Sequence, residues 1–373
     1  MQQAREIEMT KPYPPVHYSN YLQLNKILDA QSLRSEEFGH PAHDEHLFIV
    51  VHQTYELWFK QILFEIESVR KLFDTESVDE SNMGTAVARL HRVIEIEKVL
   101  IDQIRILETM TPLDFLDFRD YLYPASGFQS AQFRLVENKL GLKKEKRLNY
   151  SDKPYSKAFE GKEYQDVLDA ENQPSIFELV ERWLERTPFL KTDQFDFWQK
   201  YKSAAEEMFM NEESIVKNHP ELSDDDKEKN LLSLKDNREG FMSLFDETEY
   251  NRLREKGVFR ISYKALHGAL LIKLYRDEPI LQLPFSLITA LQDIDELFTT
   301  WRYRHALMAL RMLGTKIGTG GSSGHKYLRA TTEKHKIFQD FFNLATYLIP
   351  RSHLPDLPSD YKKTLGFHYS SNR

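Results

Sequence analysis

The chain has 373 residues, 41% of them hydrophobic and 29% charged, with a formal net charge of −8. Those values suit a globular protein with a sizeable core, and the acidic balance without a concentrated basic face excludes a nucleic-acid binder. Cysteine is absent, which excludes disulfides, zinc-thiolate sites, iron–sulfur clusters and thiolate-ligated or covalently attached haem, and suits a reducing compartment.

The first residues, MQQAREIEMTKPYPP, lack the apolar stretch of a secretory signal, and no run approaches 18 apolar residues. A cytoplasmic protein with no membrane contact is therefore expected. From there the pattern is helical almost throughout. Residues 44–73 (DEHLFIVVHQTYELWFKQILFEIESVRKLF) and 85–107 (TAVARLHRVIEIEKVLIDQIRIL) carry apolar residues at three- and four-residue spacing over many turns. In 111–142, Phe115 and Arg119 lie four apart and present a guanidinium among aromatic rings, before the small-residue turn PASGFQS at 124–130. Residues 143–174 are charged and poor in core residues, which predicts an exposed loop or a mobile arm. Helical periodicity returns at 175–187, 262–275, 286–313 and 332–349.

No alternating strand runs bounded by hairpin turns occur, so the expected fold is all-α, a large helical bundle with a small helical excursion. The expected organisation is an N-terminal segment over 1–40 that reaches a neighbouring subunit, a core over 41–189 and 258–352, a small helical subdomain over 190–257, in which 218–238 begins with a capping signal and an acidic run, and a C-terminal tail over 353–373.

The stretch GTGGSSGHKYL (318–328) has the composition of an anion-holding loop. It is not a Walker A loop, because His325 follows the last glycine and Tyr327 follows Lys326, and a long helix rather than a strand precedes it. That helix carries His305 on a face with Ile294, Phe298, Trp301, Met308 and Met312. A second histidine, His52, shares its face with Phe48, Tyr55 and Phe59, and Glu56 lies one turn further on, where it could orient the ring. A histidine on an apolar stripe needs a partner, which a backbone carbonyl or buried carboxylate can be. Two such histidines among rings also suit a flat apolar cofactor bearing a metal, and haem fits, with histidine as the commonest axial ligand. Other metal sites are poorly supported. No H-E-x-x-H helix is present, a di-iron bundle needs two Glu-x-x-His motifs, and His43 and His46 read as surface residues at a helix start. Arg119 suits bidentate carboxylate recognition, or an interhelical salt bridge.

Taken together, YSNYLQL, HDEHLFIVVHQTYELWFKQILFEI, DFRDYLYPASGFQSAQFRLVENKLGL, WRYRHALMALRMLGTKIGTGGSSGHKYLR and FNLATYLIPR resemble the tryptophan 2,3-dioxygenase family from about Tyr18 to Arg351, most of all its animal members. The resemblance implies a haem enzyme that cleaves the indole C2–C3 bond of L-tryptophan with O2 to give N-formyl-L-kynurenine, the first step of tryptophan catabolism. It implies haem b, ferrous in the active form, with His305 as the axial iron ligand and Trp301, Ser126 and Gly127 beside the cofactor. It makes His52 the catalytic histidine near bound oxygen and the indole N–H. Arg119 would pair with the substrate carboxylate, and Thr319 with its ammonium and carboxylate. Phe48 and Phe115 would wall the indole, together with Tyr18, Tyr21 and Leu22 from a neighbouring subunit of a homotetramer. The alternative that shares the histidines and the aromatic cavity is a non-catalytic haem-binding sensor of an aromatic amino acid.

Overall fold

The computed structural model describes residues 13–148, 155–193, 195–314, 316 and 324–366. Among them there are only helices, turns and one isolated bridge between Lys191 and Asp196, so the fold is all-α. Three short helices, α1 (Tyr18–Leu22), α2 (Leu24–Leu28) and α3 (Arg34–Glu37), lead into α4 (His43–Phe73). The buried side chains of α4 run Val51, Tyr55, Phe59, Ile62, Ile66, Val69 and Phe73, steps of three and four that make one apolar stripe. It packs against α5 (Met83–Leu107), whose stripe includes Leu90, Val93, Ile94, Leu100 and Ile104, and α5 packs in turn on the 35-residue α14 (Pro279–Leu313). Each fully buried aliphatic side chain of this kind contributes about 1.5–3 kcal/mol.

Shorter elements close the bundle, and their starts are set by capping. In α6 (Pro112–Arg119), Thr111 and Asp114 form a reciprocal capping box with Pro112 in the first turn. Ser130 caps α7 (Ala131–Leu140) and Ser175 caps α9 (Ile176–Leu184). Gly141, with φ of 123°, ends α7, and a Cβ there would lie 2.8 Å from Phe177 Cβ. Between α7 and α9 the expectation of an exposed arm is corrected. α8 (Gly161–Asn172) packs on α7, with Phe159 and Val167 buried against Ala131. Its apolar stripe is narrow, which is why a charged composition concealed it.

α10 (Phe197–Asn218), α11 (Asp224–Met242) and α12 (Glu247–Glu255) follow, with Ser223 capping α11. Phe197, Tyr201 and Phe209 of α10 belong to the same contiguous core as the long helices. Next come α13 (Tyr263–Leu274), then α14 and α15 (Gly324–Lys334), which lies along α14. The chain ends in α16 (Gln339–Asn343) and α17 (Ser359–Thr364); in the segment expected as a tail, Tyr361 and Leu365 are buried. No helix among the described residues is long and apolar enough to cross a membrane.

α9 and α13 approach closely at Gly268, where a Cβ would sit 2.5 Å from the Leu184 carbonyl oxygen and from Thr187 Oγ1. Alanine gains about 1 kcal/mol over glycine in a free helix, but here the backbone of α9 cannot give way. Gly268→Ala is therefore expected to destabilise the protein by about 1–3 kcal/mol, read as a lower denaturant midpoint; an unchanged or raised midpoint would contradict the close approach.

Candidate active site

A cavity of about 320 Å³ lies among α4, α6, α7, α14, α15 and the turn before α7. It gathers Phe48, His52, Phe115, Arg119, Ser126, Gly127, Trp301 and His305, residues scattered over more than 250 positions of sequence. The stripe of α14 that is core up to Phe298 continues as cavity wall through Trp301, His305, Met308 and Met312, so the same helical periodicity makes both. Thr319 and the rest of 317–323 lie outside the described residues. Tyr18, Tyr21 and Leu22 are not brought to this cavity. They are 71%, 75% and 37% exposed, and α1 and α2 bury no residue of their own.

The aromatic wall is a set of mutually supporting rings. Phe48, Phe115 and Phe118 form a triangle with centroid separations of 5.9, 5.5 and 5.4 Å. Trp301 stands 5.1 Å from Phe133 and edge-on to Phe59, and it stacks at 5.3 Å on the His305 ring, which restricts that ring's rotation.

Both histidines are uncharged at neutral pH. Burial, reinforced by the charge of the facing His52, pushes His305 down to about 4. Burial also lowers His52, against the opposing pull of the Phe48 carbonyl and the Glu56 charge. The His52 side chain keeps accessible surface and lines the cavity. Its Nδ1 lies 2.7 Å from the Phe48 carbonyl oxygen. A carbonyl only accepts, so Nδ1 carries the proton and Nε2 is left as the acceptor. Glu56, expected as a group that could orient His52, acts on it through its charge, while its carboxylate is hydrogen-bonded by Ser130 and Gln132.

Sequence reasoning missed the charged border of the cavity. Glu137 on α7 is 1% exposed and accepts from Arg134 (2.6 Å), Arg147 (2.5 Å) and Arg302 (2.9 Å), with His335 Nδ1 at 3.6 Å. Burial alone would raise this carboxyl, but the three arginines and His335 outweigh it and hold Glu137 well below the usual carboxylate range. Three guanidiniums thus meet one carboxylate, and Arg134 and Arg302 line the cavity. Only Arg134, at i−3 from Glu137, leaves a local signal; Arg302 is 165 residues away.

An all-helical chain that encloses an aromatic cavity between two neutral histidines, bordered by arginines, has the site of an enzyme for a flat ligand with charged groups. The chain belongs to the tryptophan 2,3-dioxygenase family, which it matches over residues 3–348. It is 59% identical to Tryptophan 2,3-dioxygenase of Bdellovibrio bacteriovorus, over 96% of this chain and 99% of that protein. It is 50% identical to the mouse protein of the same name, over 95% and 88%, and 49% identical to that of Dictyostelium discoideum, over 95% and 89%. The expectation that the likeness would be strongest to animal members is corrected: the bacterial protein, at 59%, exceeds the mouse protein, at 50%.

Glu137→Ala would strand three buried guanidiniums. It is expected to cost about 3–5 kcal/mol, measured by chemical unfolding; a loss under 1 kcal/mol would mean that the arginines are not desolvated as described.

Proposed function

We propose that this chain is a haem-dependent dioxygenase that opens the indole ring of L-tryptophan with O2, cleaving C2–C3 to give N-formyl-L-kynurenine. The observation that carries the reading is the single cavity shared by two neutral imidazoles, an aromatic wall and Arg119.

The donor set fits haem. Among the described residues no three His, Cys, Asp or Glu side chains come together to cage a metal ion, so an iron at His305 has to bring its other ligands, as a macrocycle does. His305 is a neutral nitrogen donor held by Trp301, and Arg134 and Arg302 on the cavity border suit the carboxylates of such a macrocycle. Ser126 and Gly127 offer a small-residue wall where a ring system can approach the backbone. Haem, when bound, supplies the one-electron chemistry that dioxygen needs.

The rest falls to the side chains. Phe48 and Phe115 hold a flat indole, and Arg119 pairs with the carboxylate of the amino acid. The bare Nε2 of His52 accepts the indole N–H and fixes which edge of the ring meets oxygen. In this reading Thr319 contacts the ammonium and carboxylate, and the wall is completed by Tyr18, Tyr21 and Leu22 of another copy in a homotetramer. Their exposure supports that arrangement, since α1 and α2 leave large apolar side chains uncovered in one copy. A cytoplasmic location accords with the lack of cysteine.

Two variants separate the assignments. His305→Ala is expected to lose the cofactor, seen as loss of its optical band. Arg119→Ala should keep the band and raise KM for L-tryptophan by about 10²-fold, a buried charge-assisted pair being worth about 2–3 kcal/mol. A His305→Ala protein with an unchanged histidine-ligated spectrum would refute the axial role.

The pH dependence follows from His52. Its pKa lies below the ordinary 6.5, so the ring stays neutral through pH 7 and gains a proton only on acidification. A profile of kcat/KM against pH should be level from pH 7 to 8 and fall on the acid side below 6.5; a limb rising with a midpoint above 7 would contradict a neutral acceptor.

A further inference from the structure

The cavity wall carries one carboxylate, Glu56, whose hydrogen bonds all go to the residues that start α7. Glu56 sits on α4, one turn beyond His52. Its Oε1 accepts from the Ser130 hydroxyl at 2.6 Å, and its Oε2 accepts from Gln132 Nε2 at 2.9 Å. The same Gln132 nitrogen donates to the Glu56 carbonyl oxygen at 2.8 Å. Ser130 is itself occupied as the cap of α7, its Oγ accepting from the Phe133 N–H at 3.2 Å. Both side-chain partners donate, so the position calls for a group that only accepts, and a negative charge also suits the N-terminus of α7.

What this contact holds is the turn before Ser130. That turn is shaped internally, with the Ser126 N–H on Gln129 Oε1 at 3.1 Å, and it supplies Ser126, Gly127 and Phe128 to the cavity. Phe128 stands edge-on to Tyr327 of α15 at 5.1 Å, so the turn also touches α15. Among the described residues, every side-chain hydrogen bond between α4 and 126–132 ends on Glu56. Glu56 therefore supplies the polar tie between the helix that carries Phe48 and His52 and the facing wall, beside the Phe59–Phe133 ring contact and the Lys139–Glu67 ion pair further along the same two helices.

We propose that Glu56 is a positioning residue: its carboxylate sets the separation between the Phe48–His52 face and the 126–128 wall, and with it the width of the space that the cofactor and the indole share. The inference rests on the reading of the cavity as the tryptophan-cleaving site. A purely structural tie would lose stability when cut and leave the ligand parameters alone.

The test uses the haem-loaded enzyme with Glu56→Gln and, separately, Ser130→Ala. KM and kcat for L-tryptophan, the melting temperature and hydrogen exchange of the 126–133 amides are measured. Both variants are expected to lose about ten- to a hundredfold in kcat/KM, with most of it in KM, as misplacement of a ligand wall does. Their 126–133 amides should exchange faster, and the double variant should lose little more than the worse single one. Wild-type kinetics in both variants, or a lower melting temperature with KM and kcat unchanged, overturns the proposal. Should Glu56→Gln fail to fold, Ser130→Ala decides by the same criteria. A wild-type protein that does not turn over tryptophan overturns the functional reading, and this inference with it.

Discussion

A large cavity has to be kept open inside a core whose natural tendency is to close. Protein interiors pack like organic crystals. A space of about 320 Å³ among these helices forfeits the contacts that its lining would otherwise make. Only an occupant offsets such a cost, and only stiff walls keep the space from collapsing. Rings on stiff helices meet that need: Phe48, Phe115 and Phe118 brace one another, while Trp301 is wedged among Phe59, Phe133 and His305.

The same burial decides the chemistry of the polar groups. Desolvation among these rings makes an imidazolium costly, so His52 and His305 stay neutral and are left as a hydrogen-bond acceptor and a nitrogen donor. Charge is admitted only where it is met. Glu137 accepts it from three arginines, and Glu56 is satisfied by the donors at the start of α7. These two carboxylates do opposite jobs, one gathering cations on the cavity border and the other drawing its facing wall toward α4.

The parts legible in the sequence were those set by local periodicity. The three- and four-residue spacing in 44–73, 85–107 and 286–313 gives α4, α5 and α14, and His52 and His305 stand out because their faces are otherwise apolar. Arg119 is conspicuous for the same reason, four residues after Phe115. The charged cluster was not legible, because Arg147, Arg302 and His335 each look like ordinary surface charge until the fold brings them to Glu137. Glu56 was legible only in part. Its spacing from His52 puts its charge near that ring, while Ser130, 74 positions away, is a group its carboxylate meets. The helix within 143–174 was hidden by a stripe only a few residues wide.

The central claim is that this cavity brings tryptophan and dioxygen to one haem. The measurement that tests it most directly is an optical assay of the purified, haem-supplied and reduced protein under air. L-tryptophan is added while the formylkynurenine absorbance and dissolved oxygen are followed together. The account predicts product growing in step with oxygen uptake, one O2 per tryptophan, until the substrate is exhausted. A shift of the haem band on adding tryptophan, with neither product nor oxygen uptake, would contradict it and leave a binding protein in place of the enzyme.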